Sequence, residues 1–315
     1  KLKKTIHQFF PIDCNFISKR FLNYWKPSKA FFIDSEIWPI TINNLYKRST
    51  PIFLLNGRIT KKSFNRWKVF SSFAKSIFSK FDLCLSSNIE TKKYLKKLGA
   101  KNIKIIGNLK FSQSENEKTN LNKDLVNLIN SRKTWCASST HYDEEKFCGL
   151  AHIKLKRKFK NLLTIIIPRH VNRINSIKTE LNNLNLKVHL DEPKKKIDPN
   201  TDIYLVNSYG KTKLFYKVCK NIFLGGSLIK HGGQNPLEAT RYGCKVLHGP
   251  NVSNFREIYR FLNKKNLSRK ITNQDQLINY IIKYFNSKNN SKKIIKDLHL
   301  IGIDILNKTY KEINK

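Results

Sequence analysis

The sequence predicts an α/β fold in which two doubly wound, Rossmann-like domains each contain a parallel sheet. Short apolar runs alternate with segments of helical periodicity along most of the chain. Many of these runs are apolar at nearly every position, which is typical of parallel strands buried on both faces. The polar stretch 112–122 lacks apolar periodicity. We therefore place a boundary there and expect domains at 1–120 and 121–315, the second ending in C-terminal helices.

The predicted strands are short, and helices lie between them. In the first domain we predict helices at 63–80 and 90–98, and the predicted strands are 29–34, 51–55, 82–86 and 103–106. In the second domain the predicted strands are 135–138, 163–167, 187–190, 202–206, 221–224 and 245–247. This alternation favours βαβ units and therefore parallel sheets.

The chain is strongly basic. It has 315 residues, 40% of them hydrophobic, with a formal net charge of +39. Such a charge is compatible with nucleic acid, with an anionic membrane surface or substrate, or with codon usage that favours Lys, Asn and Ile. The lysines are spread along the whole chain, and the sequence has no helix-turn-helix, RNP-like or zinc-finger pattern. We therefore expect no nucleic-acid partner.

The cysteines and the missing methionine give further expectations. Six cysteines occur without a C-x-x-C pair or zinc-like spacing, so we expect buried, reduced thiols and no metal site. No run reaches the roughly 18 apolar residues that a membrane-spanning helix needs. The chain contains no methionine, even at position 1. We therefore expect that Lys1 is not the biological N-terminus.

The stretch 223–238, FLGGSLIKHGGQNPLE, is the most informative part of the sequence. An apolar run ends in Gly225-Gly226-Ser227, and a short loop leads to Gly232-Gly233. Glycines let the backbone approach a ligand closely. Asn235-Pro236 favours the start of a helix, whose exposed N–H groups attract an anion. Glu238 in the first turn is placed to accept hydrogen bonds from ribose hydroxyls. The alternative is a glycine-rich turn that binds no ligand.

This stretch resembles the Kdo transferase family, which transfers 3-deoxy-D-manno-octulosonic acid (Kdo) and whose pattern here is G-G-S-L-x-x-x-G-G-x-N-x-L-E. Seven other stretches resemble motifs of that family in the same order and at similar spacing. Single motifs of this kind are weak, but eight in order are specific. The seven are HQFFPID at 7–13, which resembles the end of a strand, DSEIWP at 34–39, NGRIT at 56–60, GNLKF at 107–111, SSTHYDEE at 138–145, PRHVNR at 168–173 and GPNVSNF at 249–255.

The resemblance implies a GT-B glycosyltransferase, whose two Rossmann-like domains face a cleft. It implies transfer of Kdo from CMP-Kdo to a lipid A precursor in lipopolysaccharide biosynthesis, with inversion at the anomeric carbon and without a cofactor. Because a CMP-sugar has one phosphate, a helix N-terminus and an arginine can stabilise the leaving group without a metal. The expected partners are CMP-Kdo, the lipid A precursor and an anionic membrane surface. The implied location is the cytoplasmic face of the inner membrane of a Gram-negative bacterium.

The resemblance also implies a donor site in the second domain. Ser139, Thr140 and His141 end a predicted strand, and for the two hydroxyls the alternative is a plain helix cap. Arg169 ends another strand and can pair with a phosphate or carboxylate, the alternative being a surface cation. The expected donor-binding residues are Ser139, Thr140, His141, Pro168, Arg169, His170, Gly225, Gly226, Ser227, Gly232, Gly233, Asn235 and Glu238.

In the first domain we expect Glu36 to support catalysis and Arg58 and Lys110 to bind the acceptor. Glu36 follows a strand, and a metal-binding pair with Asp34 is a disfavoured alternative. Arg58 and Lys110 are expected to meet acceptor phosphates or the Kdo carboxylate, and solvated charge is the alternative. In the family, a glutamate in a further N-terminal segment is the base that deprotonates the acceptor. We expect that base upstream of Lys1.

Two departures from the family pattern leave a second function open. Where the family has D-T-x-G-E-L, residues 207–214 read NSYGKTKL, so Asn207 and Lys211 replace two carboxylates near the expected nucleotide site. Asp34 and Ile40 also differ from the family pattern. With the base expected elsewhere, these changes are compatible with a catalytically silent protein that binds CMP or anionic lipid.

Overall fold

The chain divides into two compact units. The computed structural model describes residues 5–113, 120–192, 197–287 and 291–315. The first unit comprises Lys1–Gln113 together with Ile301–Lys315, and the second comprises Ser114–Leu300. Most of the expected boundary at 112–122 lies outside the described residues. The C-terminal residues group with the first unit, whereas the sequence analysis assigned them to the second domain.

The first unit is built on a four-stranded parallel sheet whose strands follow one another in chain order, and the predicted strands are confirmed. They are β1 (Ala30–Ile33), β2 (Ile52–Gly57), β3 (Leu83–Ser86) and β4 (Ile103–Ile105). The helices before and between them are α1 (Asn15–Trp25), α2 (Pro39–Tyr46), α3 (Lys61–Val69), α4 (Ser71–Phe78) and α5 (Ile89–Lys97). Apolar side chains from helices and strands form one core, which includes Leu22, Ile42, Leu54, Phe78 and Leu95.

The single helix predicted at 63–80 is wrong. Phe70, with φ −110° and ψ 61°, leaves helical geometry and separates α3 from α4. α3 has no buried residue, whereas α4 buries Ile77 and Phe78. The break therefore lets α4 pack on the core while α3 stays at the surface. Apolar periodicity does not reveal this break because Phe and Trp continue the pattern across it.

The family strand that 7–13 resembles is absent, because these residues form neither strand nor helix. Instead, Asp13 holds the start of α2. Its carboxylate accepts hydrogen bonds from the backbone N–H groups of Ile40 at 3.0 Å and Thr41 at 2.8 Å, and from the Thr41 hydroxyl at 2.7 Å. The first N–H groups of a helix lack partners within the helix, so this carboxylate stabilises α2.

The second unit contains a seven-stranded parallel sheet with the strand order β11-β10-β9-β5-β6-β8-β7. Six strands were predicted; β11 was not, because it is short and polar. The strands are β5 (Lys133–Thr140), β6 (Leu162–Pro168), β7 (Val188–Leu190), β8 (Ile203–Leu205), β9 (Asn221–Leu224), β10 (Lys245–His248) and β11 (Ser268–Lys270).

Helices connect these strands, and a longer helix ends the chain. They are α6 (Lys123–Ser131), α7 (Glu144–Lys156), α8 (Ile174–Asn182), α9 (Thr212–Val218), α10 (Pro236–Arg241), α11 (Arg256–Lys264), α12 (Gln274–Phe285) and α13 (Ser291–Ile313). Among the described residues, no helix combines the length and apolarity needed to cross a membrane.

Both faces of the second sheet are buried, as its apolar strands predict. In β5, Trp135 and Ala137 belong to one core cluster, and Cys136 between them belongs to another. Successive strand residues point to opposite faces, so the two clusters lie on the two sides of the sheet. The expectation of buried, unpaired thiols is confirmed for five cysteines, which are Cys84, Cys136, Cys148, Cys219 and Cys244.

The strand order locates a crevice at the carboxyl ends of the strands. From β5 the chain proceeds to β6 on one side, and it later returns to the other side of β5 at β9. Open parallel sheets bind ligands outside the carboxyl ends of the strands, where the order changes direction. The loops that follow β5, β6 and β9 carry most of the residues expected at the donor site.

A buried polar cluster near the amino end of β8 has a different character. The fully buried His152 lies 2.8 Å from the Thr164 hydroxyl through Nδ1 and 3.3 Å from the Asp202 carboxylate through Nε2. Asp202 also accepts the Lys187 backbone N–H at 3.0 Å and pairs with the Lys156 ammonium group. Thr, His and Asp resemble a nucleophilic triad here, but a fully buried ring gives no access to a substrate. The cluster is structural.

We expect the Asp202→Asn substitution to lower the free energy of unfolding by about 2 kcal/mol, because it removes charged hydrogen bonds from buried donors. Asp275→Asn is the matched control, since the Asp275 side chain is 76% exposed and pairs with Lys154 at 3.1 Å. Its effect should stay under about 0.5 kcal/mol. Urea unfolding measures both values, and equal effects would contradict the structural role of Asp202.

Candidate functional site

A single buried carboxylate holds the glycine-rich loop that follows β9. Glu144 is the first residue of α7 and is 1% exposed. It accepts hydrogen bonds from three consecutive backbone N–H groups, at 2.6 Å from Gly226, 3.1 Å from Ser227 and 3.0 Å from Leu228. The backbone N–H of His141 makes a fourth bond at 3.0 Å. Consecutive N–H groups form an anion-binding concavity, and here the protein's own carboxylate fills it.

The glycines Gly225 and Gly226 permit this internal contact. A Cβ on Gly225 would lie 2.7 Å from the Glu144 carboxylate and 2.5 Å from the Ser139 carbonyl oxygen. Gly226 has a left-handed φ of 62°, which favours glycine. The close approach that Gly225 permits is therefore to Glu144 and β5. The N–H groups of Gly226 and Ser227 are paired with Glu144, and the donor-binding roles expected for Gly225, Gly226 and Ser227 stay predictions.

The loop after β10 braces the same structure. The Gly249 N–H donates to the Ser227 hydroxyl at 2.8 Å, and the Asn251 N–H donates to the Ser227 carbonyl at 2.9 Å. The Asn254 N–H donates to the carbonyl of Gly232 at 3.0 Å. The motif GPNVSNF at 249–255 thus positions the glycine-rich loop through its backbone and asparagine residues.

β5 ends in a strained turn that carries Ser139 and Thr140. Ser139 has a left-handed φ of 56°, and the register between β5 and β6 shifts at this residue. Such geometry is unfavourable outside glycine and is often found at functional sites. The cap residue of α7 is Asp143. The alternative that Ser139 or Thr140 is a plain helix cap is therefore wrong.

Three histidine rings meet beside the glycine-rich loop. The ring centroid of His141 lies 5.4 Å from that of His170 and 4.3 Å from that of His231. His141 is buried, whereas His170 and His231 are exposed. Burial, followed by the charge of His231, lowers the pKa of His141 to about 4, so this ring is neutral at neutral pH. In the described part of the chain, no group of three or more His, Cys, Asp or Glu side chains is arranged to hold a metal ion.

The turn after β6 brings Arg169 and His170 to the same place. Pro168 ends β6 in the core, and the next two side chains are exposed. The Arg169 backbone N–H donates to the Thr140 carbonyl at 2.9 Å, which keeps the ends of β5 and β6 together. The charge of Arg169 also contributes to the lowered pKa of His141. The structure therefore gathers the predicted residues of both strand ends into one cluster.

The second carboxylate of α7 anchors the β6 loop. Glu145 is fully buried and makes a two-pronged ion pair with Arg173, with both N–O distances 3.2 Å. Burial raises the pKa of the Glu145 carboxyl, and Arg173 opposes that shift. The Arg173 guanidinium also lies 5.4 Å from the centre of the Tyr142 ring. Consecutive glutamates on α7 thus hold two loops of the site. Glu144 holds the loop after β9, and Glu145 holds the loop after β6.

α10 confirms the predicted helix start. Its cap residue Asn235 accepts the Leu237 N–H at 3.1 Å, and Pro236 is the first helical residue. The helix has only six residues, so it adds little dipole of its own. Glu238 is half-buried on the first turn. Its predicted contact with ribose hydroxyls stays a prediction.

Lys211, one of the departures from the family pattern, has a partner inside the unit. Its Nζ lies 2.7 Å from the carboxylate of Asp191, which is 7% exposed and whose other oxygen accepts the Tyr204 hydroxyl at 2.8 Å. A buried carboxylate requires such partners. Lys211 therefore has a structural explanation, whereas nothing in the structure explains Asn207.

In the first unit, polar residues collect at the carboxyl ends of β1 and β2. The Lys110 Nζ lies 3.0 Å from the Asp34 carboxylate, so solvated charge is the wrong interpretation of Lys110. The Asn56 amide donates to the same carboxylate, and its oxygen accepts the Leu109 N–H at 2.9 Å. Asp34 and Asn56 both have left-handed backbone, with φ of 58° and 52°. This pair of strained residues marks a candidate binding surface.

Glu36 and Arg58 lie at the same strand ends. Glu36 is exposed, and its carboxylate accepts the Trp38 indole N–H at 3.0 Å. The Arg58 backbone N–H donates to the Asp34 carbonyl at 2.9 Å, and its carbonyl accepts the Ser35 hydroxyl at 2.6 Å. These bonds fix the turn after β1. The expected acceptor-site roles of Glu36 and Arg58 stay predictions.

Comparison with known proteins gives a consistent result. Residues 1–113 match the family model described as 3-deoxy-D-manno-octulosonic-acid transferase (kdotransferase). The chain is 33% identical over 285 residues to the 3-deoxy-D-manno-octulosonic acid transferase of Rickettsia prowazekii, covering 88% of this chain and 60% of that protein. The corresponding Haemophilus influenzae protein is 31% identical over 269 residues, covering 82% of this chain and 61% of that protein. This chain is a relative of the Kdo transferases.

Solved structures agree with this relationship. The C-terminal CMP-Kdo binding domain of WaaA from Acinetobacter baumannii is 25% identical, with a TM-score of 0.51, and the match covers 55% of this chain and 90% of that one. A putative UDP-N-acetylglucosamine 2-epimerase from Listeria monocytogenes is 13% identical, with a TM-score of 0.61 over 94% of this chain and 77% of that one, and it shows the fold alone. The chain spans about three fifths of the length of the curated Kdo transferases, 60% of the Rickettsia prowazekii protein and 61% of the Haemophilus influenzae protein.

The sequence alone does not predict the roles of two residues of the site. Glu144 was visible only as an acidic residue near a helix start, and His231 only as a variable position between the glycine pairs. The useful signal for Glu144 was its place in SSTHYDEE, upstream of a loop rich in unpaired N–H groups. Only the fold shows that this carboxylate and that loop meet.

We expect Glu144→Gln to lower the free energy of unfolding by about 3 kcal/mol. The amide nitrogen of Gln is a donor, so the backbone N–H groups that face it lose their hydrogen-bond acceptor. Asp124→Asn, at an exposed position on α6, is the control and should change it little. Thermal and urea unfolding measure both. Similar stabilities for the two variants would contradict the role of Glu144 in holding the loop.

Proposed function

We propose that this chain is a GT-B glycosyltransferase that moves Kdo from CMP-Kdo to a lipid A precursor. The second unit binds the CMP part of the donor, and the first unit binds the acceptor. The relationship to the Kdo transferases supports the reaction, and the likeness to a domain named for CMP-Kdo binding supports the donor. The observation that carries the proposal is the cluster of Arg169, His170 and His231 at the carboxyl ends of the strands, beside a loop locked by Glu144.

The chemistry follows from the charge of the leaving group. An acceptor hydroxyl oxygen attacks the anomeric carbon of Kdo from the side opposite CMP, so the configuration inverts. The bond from that carbon to the phosphate oxygen breaks, and CMP leaves with an additional negative charge. Arg169 is placed to stabilise that charge without a metal. The acceptor proton goes to a base, which we propose is the family's glutamate upstream of Lys1, with Glu36 in a supporting role.

The surface of the first unit suits an anionic, membrane-bound acceptor. α3 carries Lys61, Lys62 and Arg66 and no acidic residue in its first turn, and the adjoining Phe70 is 69% exposed. Basic and apolar side chains on one exposed helix suit the surface of an anionic bilayer. Together with the net charge of +39, this surface favours a site of action at the cytoplasmic face of a bacterial inner membrane.

Calorimetry with CMP tests the donor site. We expect the wild-type chain to bind CMP without divalent metal, and Arg169→Ala to weaken binding about tenfold because it removes a charged hydrogen bond to the phosphate. Arg157→Ala, at the exposed end of α7, is the matched control and should bind as the wild type does.

A transfer assay with CMP-Kdo and a lipid A precursor then tests the reaction. Transfer that Arg169→Ala impairs agrees with the proposal. CMP binding without transfer, when the N-terminal segment of a related Kdo transferase is fused to the chain, would instead favour a protein that binds CMP and is catalytically silent. A folded chain that binds no CMP contradicts both the transferase hypothesis and the hypothesis of a silent CMP-binding protein.

A further inference from the structure

The hydrogen bonds of His141 determine which nitrogen carries its proton. Nδ1 lies 3.1 Å from the Ser139 carbonyl oxygen and 3.9 Å from the Glu144 carboxylate. Both neighbours can only accept a hydrogen bond, so Nδ1 must be the donor. A neutral imidazole has one N–H, and the other nitrogen then carries a lone pair. Nε2 of His141 is therefore a hydrogen-bond acceptor.

This acceptor is buried and has no partner among the described residues. His141 is 6% exposed, and no hydrogen bond within the described part of the chain reaches Nε2. A buried polar atom without a partner is unfavourable and is rare in a folded protein. The exposed His231 ring lies against His141, with 4.3 Å between centroids.

The surroundings of Gly226 form a small cradle beside the His141 ring. A Cβ on Gly226 would lie 3.1 Å from His141 Cε1, 3.2 Å from the side-chain nitrogen of Gln234 and 3.2 Å from His231 Cδ2. Three side chains from two loops thus converge where glycine leaves space. The Glu144 carboxylate already occupies the backbone N–H groups below them. The Nε2 lone pair of His141 is therefore the atom of this cradle that still needs a hydrogen-bond donor.

We propose that His141 binds a hydrogen-bond donor of the nucleoside, a ribose hydroxyl or the cytosine amine, and thereby selects the nucleotide rather than holding its phosphate. This inference rests on the proposed CMP site. Phosphate oxygens at neutral pH only accept hydrogen bonds, so they do not match a neutral Nε2. Arg169 supplies positive charge for the phosphate, whereas His141 supplies an acceptor.

Burial and the charges around His141 keep it in this state. Burial lowers its pKa most, followed by the charges of His231 on the glycine-rich loop and of His170 and Arg169 on the β6 loop. Glu144, from α7, is an anion near its Nδ1, at 3.9 Å. With the pKa of His141 lowered to about 4, selection by Nε2 should stay constant between about pH 6 and pH 8.

Calorimetry with CMP, UMP, 2′-deoxy-CMP and 3′-deoxy-CMP on the full chain tests the proposal. Each deoxy analogue removes one hydroxyl donor, and UMP replaces the cytosine amine by a carbonyl oxygen and makes N3 a donor, so the arms distinguish the base from the two hydroxyls. We expect the wild type to bind one analogue about tenfold more weakly than CMP, because that analogue leaves Nε2 without a partner. In His141→Ala, CMP and that analogue should bind equally.

His248→Ala is the matched control. The His248 ring is also buried, its Nδ1 lies 2.7 Å from the Gly249 carbonyl, and its pKa is lowered to about 4. Its Nε2 likewise has no hydrogen-bond partner among the described residues, but the ring lies on β10 against the Tyr259 ring and not against His170 and His231. This variant should keep the wild-type preference among nucleotides, even if it lowers the affinity for all of them.

The outcomes separate the inference from the proposed function. If the wild type binds CMP but treats all four nucleotides alike, or if His141→Ala keeps the full preference, the role of His141 is refuted while the CMP site stands. If the folded wild type binds no CMP, the proposed donor site fails and the inference fails with it.

Discussion

The candidate site depends on one buried carboxylate. Glu144 accepts four backbone N–H groups, three from the loop after β9 and one from the turn after β5. Charged hydrogen bonds of this kind are strong, and a buried carboxylate without them would be highly unfavourable. The contact therefore joins the ends of two neighbouring strands where the sheet changes direction. The positions of His141 and His231 follow from it, since each belongs to one of the joined loops.

Filling the anion pocket of the loop with a protein carboxylate has a chemical consequence. The backbone N–H groups that usually suggest phosphate binding are already paired, so the phosphate of the proposed donor depends on side chains. Arg169, His170 and His231 are exposed side chains around His141. Burial, followed by the charges of these neighbours, lowers the pKa of His141, which leaves its Nε2 as an acceptor. The same cluster thus offers positive charge on its exposed side and a lone pair on its buried side.

Much of this arrangement could be predicted from the sequence, because strands, glycine pairs and helix caps are local features. The strand ends that carry Arg169 and Ser139 were placed correctly for that reason. The function of Glu144 could not be predicted, because its partners are 82 to 84 residues away in sequence. Lys211 was similarly seen only as a departure from the family pattern, since its partner Asp191 lies on another strand connection. The local motifs identified the loops, and tertiary contacts decided which atoms remain available to a ligand.

The relationship to the Kdo transferases and the geometry of the second unit lead to the same central claim, that a nucleotide binds above β5 and β9 while Glu144 keeps its hold on the loop. A crystal structure of the chain with CMP bound tests this claim most directly. We predict CMP at the carboxyl ends of β5, β6 and β9, with its phosphate near Arg169 and with Glu144 still bonded to the N–H groups of Gly226, Ser227 and Leu228. A phosphate that displaces the Glu144 carboxylate from these groups, or CMP bound elsewhere, would contradict the account.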